Sequence, residues 1–539
     1  MTTHPNDATP AEADVVVVGA GFAGLYLVHR LRSAGLDVVG IEAGSDVGGT
    51  WYWNRYPGAR CDIPSMLYSY SFDEDLVKEW DWPEKYSAQP DILAYLNHVA
   101  DRFDLRRSFR FDTRVRRADF DDHTGRWIVA TEGGGVLSAR HLVTAVGALS
   151  KSKPPEVPGL ERFAGRWMHT GAWPQEDVDL AGKHVGVIGT GSSGIQVIPI
   201  LAEGAAKVTV FQRTANFTLP AKNGPIDPAL VERMREDYPA EHVAARRSLF
   251  GIPAERPTKS ALEVSEEERT ATFTERWNRG ELIGVLSSYY DLLLDRAANE
   301  TAGEFVRDRI REIVEDPALA EALVPQGYAF GTKRPCLDTN YYATYNRPNV
   351  RLVNLRETPL VGITEAGVQT EAEEHPLDVL VFATGFDAIT GPLTAMGIHG
   401  RDGVPLTEAW KHGPVTYLGL SVPQFPNLFT VTGPGSPSVL SNMVVSIEQH
   451  VEWISDLILS MRERGVATIE ATEVAAKDWT AHVQEVAEAT LYPETDSWFT
   501  GANVPGKPKV FMPYVGGVGR YRRICDDVAA ADYRGFVTR

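Results

Sequence analysis

The chain has 539 residues, enough for about three domains, and 43% of them are hydrophobic, as in ordinary globular proteins. Its net charge of −19 argues against a nucleic-acid partner and against an anionic membrane surface. The three cysteines form no C-x-x-C motif, so a disulfide framework, a thiol redox pair and a metal site are not expected.

The N-terminal residues 1–13 are polar and are predicted to be disordered. They contain no apolar core of a signal peptide, and the chain has no apolar run of about 18 residues that could span a membrane. A cytoplasmic protein without a membrane partner is therefore expected. We also expect a monomer or a weak homo-oligomer.

Residues 14–42 have the order of strand, glycine turn, helix, strand and acid that a dinucleotide-binding fold requires. The turn lets the backbone approach a pyrophosphate at the N-terminus of the helix. Glu42 ends the second strand, where a carboxylate can accept hydrogen bonds from a ribose 2′-OH, which favours FAD. A structural glycine turn is the alternative. The turn residues predicted to bind the nucleotide are Gly19, Gly21, Phe22, Ala23 and Gly24.

Residues 48–62 are rich in aromatic and turn-forming residues, which could form the wall of a site for a flat ligand. A well-packed core loop is the alternative interpretation. Together with two residues further along the chain, this segment supplies the remaining predicted flavin contacts. They are Gly49, Thr50, Trp51, Tyr52, Trp53, Arg60, Cys61, Asp62, Tyr68 and Val115.

A proline-rich linker at residues 151–159 leads to a second dinucleotide unit, with strands at 185–188 and 207–211. Its second strand is followed by Gln212, Arg213 and Thr214 instead of an acid. Because an arginine pairs with a 2′-phosphate and a carboxylate repels it, this site favours NADPH over NADH. A simple surface charge is the alternative for Arg213. The turn and the start of the helix supply Gly189, Gly191, Ser192, Ser193, Gly194, Ile195 and Gln196.

The predicted fold class is α/β, with two Rossmann-like domains and a helical subdomain inserted in the second. Residues 14–150 form the first part of an FAD-binding domain, and residues 151–225 the first part of an NADPH-binding domain. Residues 226–328 form the helical insertion. Residues 329–382 complete the NADPH-binding domain, and residues 383–539 complete the FAD-binding domain and end in a substrate or cofactor loop.

Two nucleotide sites in one chain imply that hydride passes from NADPH to a tightly bound FAD. The cysteines exclude a disulfide reductase and a four-cysteine cluster, so molecular oxygen is the expected electron acceptor, in a monooxygenase or an oxidase. A redox-sensing protein without enzymatic activity is the alternative from another class.

Two long motifs add a resemblance. Residues 163–174 match F-x-G-x-x-x-H-x-x-x-W-P, and residues 48–62 match [AG]-G-x-W-x4-[FY]-P-[GM]-x3-D. Both resemble the signatures of type I Baeyer–Villiger monooxygenases, and within that family residues 333–338, 436–443 and 497–508 are most like phenylacetone and steroid monooxygenases. The first motif is expected to govern domain movement through Phe163, Gly165, His169, Trp173 and Pro174.

The resemblance implies oxidation of a small-molecule ketone to an ester or lactone, through a peroxide at the flavin C4a atom. Arg334 is similar to the active-site arginine of the family and Asp62 to its acidic partner. Lys333, Arg213 and Thr214 would bind the NADPH 2′-phosphate, and Trp498 would close over the cofactor and the substrate. The loop that forms the wall of the substrate pocket would contain Ser438, Val439 and Leu440.

One position departs from the family. Ala148 stands where phenylacetone monooxygenases have a glutamine near the pocket, which leaves the identity of the ketone open. Two alternative activities also stay open at this point: oxidation of nitrogen or sulfur centres, and NADPH oxidase activity.

Overall fold

A computed structural model describes residues 10–254 and 256–539 of the chain. The strands are β1 (Ala11–Val18), β2 (Val38–Ile41), β3 (Phe109–Arg110), β4 (Val115–Asp121), β5 (Arg126–Thr131), β6 (Val136–Thr144), β7 (Arg166–His169), β8 (His184–Ile188), β9 (Lys207–Gln212), β10 (Thr218–Pro220), β11 (Cys336–Asp338), β12 (Val350–Asn354), β13 (Leu360–Ile363), β14 (Gly367–Thr370), β15 (Glu374–Pro376), β16 (Val379–Phe382), β17 (Ile398–His399), β18 (Leu428–Thr430), β19 (Ile469–Ala471) and β20 (Phe536–Thr538).

The α-helices are α1 (Phe22–Ser33), α2 (Thr50–Trp53), α3 (Glu74–Glu79), α4 (Gln89–Arg102), α5 (Ser192–Gly204), α6 (Pro228–Glu236), α7 (Tyr238–Arg247), α8 (Glu266–Arg279), α9 (Arg296–Ile313), α10 (Pro317–Leu323), α11 (Tyr341–Thr344), α12 (Gly391–Thr394), α13 (Leu406–Ala409), α14 (Met443–Arg464), α15 (Glu473–Glu488) and α16 (Val518–Ala530). Within the described residues, no helix is both long enough and apolar enough to cross a membrane.

The first large sheet has β1 near its centre, with the order β17-β4-β5-β6-β1-β2-β3 and with β18 also paired to β6. β1 runs parallel to β2 and β6, and its valines at residues 15–18 are buried. Strands buried on both faces have such continuous apolar runs. Because β18 pairs with β6, the C-terminal third of the chain completes a sheet that the N-terminal residues begin.

The second large sheet is entirely parallel, with the order β12-β9-β8-β16-β7. Helix α5 follows β8 directly after the second glycine turn, as a dinucleotide unit requires. Helices α6 to α10 all lie between β10 and β11, so residues 226–328 are mainly helical. These observations agree with the predicted fold class.

One expectation about a single element needs correction. β1 begins at Ala11, so residues 11–13 are ordered, and only residues 1–9 of the expected disordered segment lie outside the described residues. Helix α14 buries polar residues such as Glu448 and His450 together with its apolar residues.

Candidate functional site

The first glycine turn lies where β1 ends and α1 begins. Gly21 is the N-cap of α1, and no side chain caps the helix. Among the described residues, no acceptor pairs with the N–H groups of Phe22 or Ala23. Unpaired N–H groups at a helix N-terminus are a ready-made site for a phosphate anion. This arrangement therefore fits a nucleotide pyrophosphate.

The turn is closed on one side by Gly49, which lies against Gly21. Gly49 has φ +53°, and a Cβ atom added there would lie 2.7 Å from the Cα atom of Gly21. Only glycine allows both this φ and this approach of two backbones. The aromatic segment is therefore held directly beside the predicted pyrophosphate site, which fits FAD.

Glu42 is buried at the end of β2, and its carboxylate accepts two backbone hydrogen bonds. Its two oxygens accept from the N–H groups of Ala20 and Gly44, each at 2.7 Å. The side chain thus fixes the loops around the site. A carboxylate offers about four lone-pair positions, so two remain for a ribose hydroxyl. The contact of Glu42 with the ribose stays a prediction.

The aromatic segment is packed rather than open. Trp51 and Tyr52 are buried, Trp53 is half-buried, and the indole of Trp51 donates to the hydroxyl of Tyr68 at 3.3 Å. Thr50 is exposed at the start of α2. Val115 and Cys61 are buried. The rings therefore form part of the core, as the alternative interpretation expects, and their role as the wall of a site for a flat ligand stays a prediction.

Arg60 and Gln196 connect the aromatic segment, residues 48–62, to helix α5. The guanidinium of Arg60 is bound by Glu84 and by the carbonyl of Tyr86, so it holds its own loop in place. Gln196, on α5, donates to the carbonyl of Arg60 at 3.0 Å and accepts from the hydroxyl of Tyr56 at 2.8 Å. Direct cofactor contacts by Arg60 and Gln196 stay predictions.

Arg334 forms the centre of the candidate site. It lies just before β11, and its Nε and Nη2 atoms donate to the two oxygens of Asp62 at 2.8 and 2.9 Å. Its Nη1 atom donates to the carbonyl of Val439 at 2.6 Å. A guanidinium has five N–H donors, so two remain without an acceptor among the described residues. The structure thus brings together three segments that the sequence analysis assigned to one site.

The side chain of Arg334 keeps its positive charge in this site. Burial alone would lower the pKa of the guanidinium, but the ion pair and hydrogen bonds with Asp62 raise this pKa above its ordinary value. Arg334 is therefore a fixed cation with two free donors. Such a group can stabilise negative charge on oxygen without having to reorganise.

Arg334 lines a mainly apolar cleft. Among the predicted wall residues, Leu440 lines this cleft, whereas Ser438 and Val439 are buried behind it. The sequence analysis missed the opposite wall, which the helical insertion supplies. It consists of Phe250, Ile252, Leu282, Ile283 and Leu286.

The second glycine turn lies between β8 and α5. Gly191 is the N-cap of α5, is exposed, and has no side-chain cap. A Cβ atom added to Gly191 would meet no protein atom within 4 Å, so the turn faces open space. Ser192 is exposed, Ser193 is half-buried, and Gly194 and Ile195 are buried. The turn therefore has both the room and the donors for a second pyrophosphate.

Three cationic side chains cluster beyond this turn. Burial lowers the pKa of Lys333, and the neighbouring charges of Arg213 and Arg356 lower it further. Arg356 also donates to the Thr214 hydroxyl at 3.5 Å. Within residues 10–254 and 256–539, none of the three cations forms an ion pair. Mutually repelling cations without a carboxylate partner fit a phosphate, and Arg356 is a member that the sequence analysis missed.

The first signature motif forms the edge of the second sheet. His169 ends β7, its Nδ1 atom accepts from the N–H of Gly171 at 3.0 Å, and its Nε2 atom lies 3.3 Å from the Thr384 hydroxyl. Thr384 follows β16, where the chain returns towards the first sheet. Trp173 is buried, whereas Phe163, Gly165 and Pro174 are half-buried. The motif thus lies at a crossing between the sheets, and its role in domain movement stays a prediction.

The C-terminal loop around Trp498 is packed against the rest of the molecule. Trp498 is half-buried in a short turn, and the Thr495 hydroxyl lies 2.7 Å from the Thr332 hydroxyl. Further along the loop, Lys507 pairs with Asp387 at 2.8 Å. Thr332 precedes Lys333 and Arg334, so the loop is held directly beside both predicted cofactor-side residues.

Comparisons with known proteins decide the family. Residues 13–238 match the model described as pyridine nucleotide-disulphide oxidoreductase. A Baeyer–Villiger monooxygenase of Pseudooceanicola batsensis is 43% identical over 100% of this chain and 98% of its own length. The chain belongs to the Baeyer–Villiger monooxygenase family.

Two further relatives of this Baeyer–Villiger monooxygenase cover almost the whole chain. A solved structure of oxidized steroid monooxygenase bound to NADP is 52% identical, covers 98% of this chain and 99% of its own, and superposes with a TM-score of 0.94. Phenazine N-monooxygenase of Lysobacter antibioticus is 43% identical over 99% of this chain and 98% of its own length. The predicted family and the predicted fold class are confirmed.

Proposed function

We propose that this enzyme oxidises uncharged, largely apolar ketones in the cleft beside Arg334. Membership of the family confirms the predicted Baeyer–Villiger oxidation with FAD, NADPH and O2. When bound, FAD and NADPH supply the electrons for the reaction, and O2 supplies the inserted oxygen atom. The single observation that supports the site is the Arg334–Asp62 pair, which leaves two guanidinium donors beside an apolar cleft.

The chain's own residues act on the ketone by binding and by charge. The two remaining N–H groups of Arg334 bind the carbonyl oxygen and stabilise the negative charge that develops on it. Asp62 positions the guanidinium, and the carbonyl of Val439 holds its Nη1 atom in place. The apolar walls exclude water, which strengthens these interactions. Trp498 and its loop complete the closed site.

In this proposal the two nucleotides occupy the two glycine turns. FAD lies at α1, with Glu42 at the ribose and the aromatic segment around the ring. NADPH lies at α5, with its 2′-phosphate between Arg213, Thr214, Lys333 and Arg356. The domain boundaries proposed are those of the sequence analysis, with the helical insertion supplying one wall of the ketone cleft.

The first test concerns the flavin. The purified protein should be yellow and should release FAD on denaturation, because Glu42 and the α1 turn provide for both the ribose and the pyrophosphate of a dinucleotide. Chromatography of the released flavin distinguishes FAD from FMN. Release of FMN alone would contradict the assignment of the α1 turn.

The second test concerns cofactor choice. Arg213→Ala should lower kcat/KM for NADPH about tenfold or more and change that for NADH little, since a charged hydrogen bond contributes roughly 1.5–3 kcal/mol. Arg356→Ala should act in the same direction. Arg351→Ala is the matched control, because Arg351 is an exposed arginine on β12 that pairs with Glu373. Equal losses for both nucleotides would show that Arg213 does not bind the 2′-phosphate.

Oxidation of a nitrogen or sulfur centre is the second candidate, because one relative of equal identity is a phenazine N-monooxygenase. Arg334 favours ketone oxidation, since its free donors suit a carbonyl oxygen that gains negative charge. Mass spectrometry of products from a ketone panel and from an aryl thioether separates the candidates. Sulfoxide without any ester would favour the second.

A further inference from the structure

Helix α14 carries a carboxylate that is completely buried. The side chain of Glu448 has 0% of its surface exposed, and the proposed function gives it no part in the reaction. Its two oxygens accept hydrogen bonds from the backbone N–H and from the hydroxyl of Ser71, and one of them lies 3.4 Å from the Nη2 atom of Arg246. A buried carboxylate costs free energy unless hydrogen bonds and an opposite charge compensate it. These three residues must therefore stay together in the folded enzyme.

Arg246 joins helix α7 to this carboxylate. Its Nη2 atom also donates to the Ser71 hydroxyl at 2.9 Å and lies 3.3 Å from Glu452, one turn further along α14. Burial lowers the pKa of the guanidinium, but the two carboxylates of α14 raise this pKa above its ordinary value, so Arg246 keeps its charge. On the same helix, the hydroxyl of Tyr238 donates to the carbonyl of Tyr70 at 2.7 Å. Helix α7, an element of the helical insertion, is thus attached to α14 and to the loop around Tyr70.

The later helices of the insertion are attached to the second sheet and to the segment that follows it. The amide of Gln212, the last residue of β9, donates to the carbonyl of Ala322 in α10 at 2.7 Å. The guanidinium of Arg307, on α9, lies 5.6 Å from the centre of the Phe217 ring, just before β10. The insertion therefore has two separate attachments, and that of α7 is to residues of the predicted FAD-binding domain.

Phe250 connects α7 to the apolar cleft of the candidate site. Only two residues separate the end of α7 from Phe250, whose side chain lines the cleft. The carbonyl of Phe250 accepts from the N–H of Asn442 at 2.8 Å, so this end of the segment is fixed to the N-cap of α14. A displacement of α7 relative to α14 would therefore shift the Phe250 ring in the wall of the cleft.

We propose that Arg246 and Glu448 are positioning residues of the ketone site: their buried ion pair holds α7 against α14 and thereby keeps the Phe250 ring in the wall of the cleft. This inference rests on the proposed function, because it requires the ketone to bind in that cleft. Since NADPH is assigned to the α5 turn, the pair should affect the binding of the ketone and not the reduction of the flavin.

The first test measures ester formation from phenylacetone and from cyclohexanone by Arg246→Met. This variant removes the charge but keeps a long side chain, so KM for each ketone should rise roughly twofold to thirtyfold, the usual range for a residue that acts on a site through its neighbours. The rate of flavin reduction by NADPH should stay unchanged. Arg246→Lys, which keeps the charge, should restore most of the wild-type KM.

Arg235→Met is the matched control, since Arg235 lies on the neighbouring helix α6. Its side chain is 28% exposed, against 26% for Arg246, and its partner Asp81 is 86% exposed. An exposed pair contributes little to holding two elements together, so this variant should keep the wild-type KM.

A double-mutant cycle separates positioning from a general loss of stability. In a Phe250→Ala background, Arg246→Met should change KM by less than about twofold, because the ring that it positions is gone. In a Leu282→Ala background, which removes a different wall residue, Arg246→Met should keep its full effect. If Arg246→Met does not retain FAD, Glu448→Gln takes its place in the cycle, since it removes the charge of the other partner and keeps its shape.

A full effect of Arg246→Met in the Phe250→Ala background would overturn this role of the pair, and so would an unchanged KM in the single variant. A matching fall in the rate of flavin reduction would overturn it as well, because the whole enzyme would then be loosened. If the wild-type enzyme forms no ester from either ketone, the proposed function fails first and the inference with it. Ester formation with an unchanged KM in Arg246→Met contradicts the inference alone.

Discussion

Arg334→Ala should retain FAD and still consume NADPH, yet form about 10²–10³-fold less ester, because that is the usual cost of losing one positioned donor to a developing oxyanion. The variant removes both free N–H groups from the cleft and leaves Asp62 without its bidentate partner. Electrons from NADPH should then leave as hydrogen peroxide. Stopped-flow flavin absorbance, peroxide release and ester yield measure the two half-reactions separately.

The control for this experiment is Arg401→Ala. Arg401 is as exposed as Arg334, at 22% against 21% of the side chain, and it also pairs with carboxylates, namely Asp122 and Glu470. It lies outside the cleft, so its loss should leave the ester yield per NADPH unchanged. Asp62→Ala should show a milder form of the Arg334→Ala defect, since Asp62 acts by positioning. Ester formation by Arg334→Ala at nearly the wild-type rate would exclude Arg334 as the oxygenation residue.

Local patterns predicted the parts of the site that a short segment contains. The apolar runs gave the central strands of both sheets, and the two glycine turns lie where β1 and β8 meet their helices. These features depend on neighbouring residues only, so spacing reveals them. The Arg334–Asp62 pair joins residues 272 positions apart, and only the resemblance to a family placed them together.

Contacts between distant elements could not be predicted in the same way. Nothing in the residues around Phe250 indicates that the helical insertion would form a wall of the cleft, because a half-buried loop residue has no periodic signal. Arg356 reaches Thr214 from a segment 142 residues away. Glu448, a charged residue of α14, is buried, and its partners Ser71 and Arg246 come from distant parts of the chain. Each of these outcomes depends on tertiary packing rather than on local sequence.

Gly191→Ala should leave the fold and the FAD content intact but lower kcat/KM for NADPH by roughly 10²-fold, the cost of misplacing a reactant by about 1 Å. Its φ lies outside the left-handed region, and its added Cβ atom would contact no protein atom within 4 Å. The methyl group would instead occupy the space in front of the α5 N-terminus. If NADPH places its pyrophosphate there, the nucleotide must shift.

The matched control lies at the other end of the same helix. Gly204→Ala also adds a Cβ atom to open space, but 13 residues away from the turn, so it should leave NADPH kinetics unchanged. Rates of flavin reduction at increasing NADPH concentrations measure the effect, and flavin absorbance verifies the fold of both variants. Because ketone oxidation requires reduction of the flavin first, ester formation by Gly191→Ala should fall with the rate of flavin reduction. The flavin of Gly191→Ala could instead be reduced at the wild-type rate at every NADPH concentration. That result would show that the pyrophosphate binds elsewhere, and NADPH could then no longer be assigned to the N-terminus of α5.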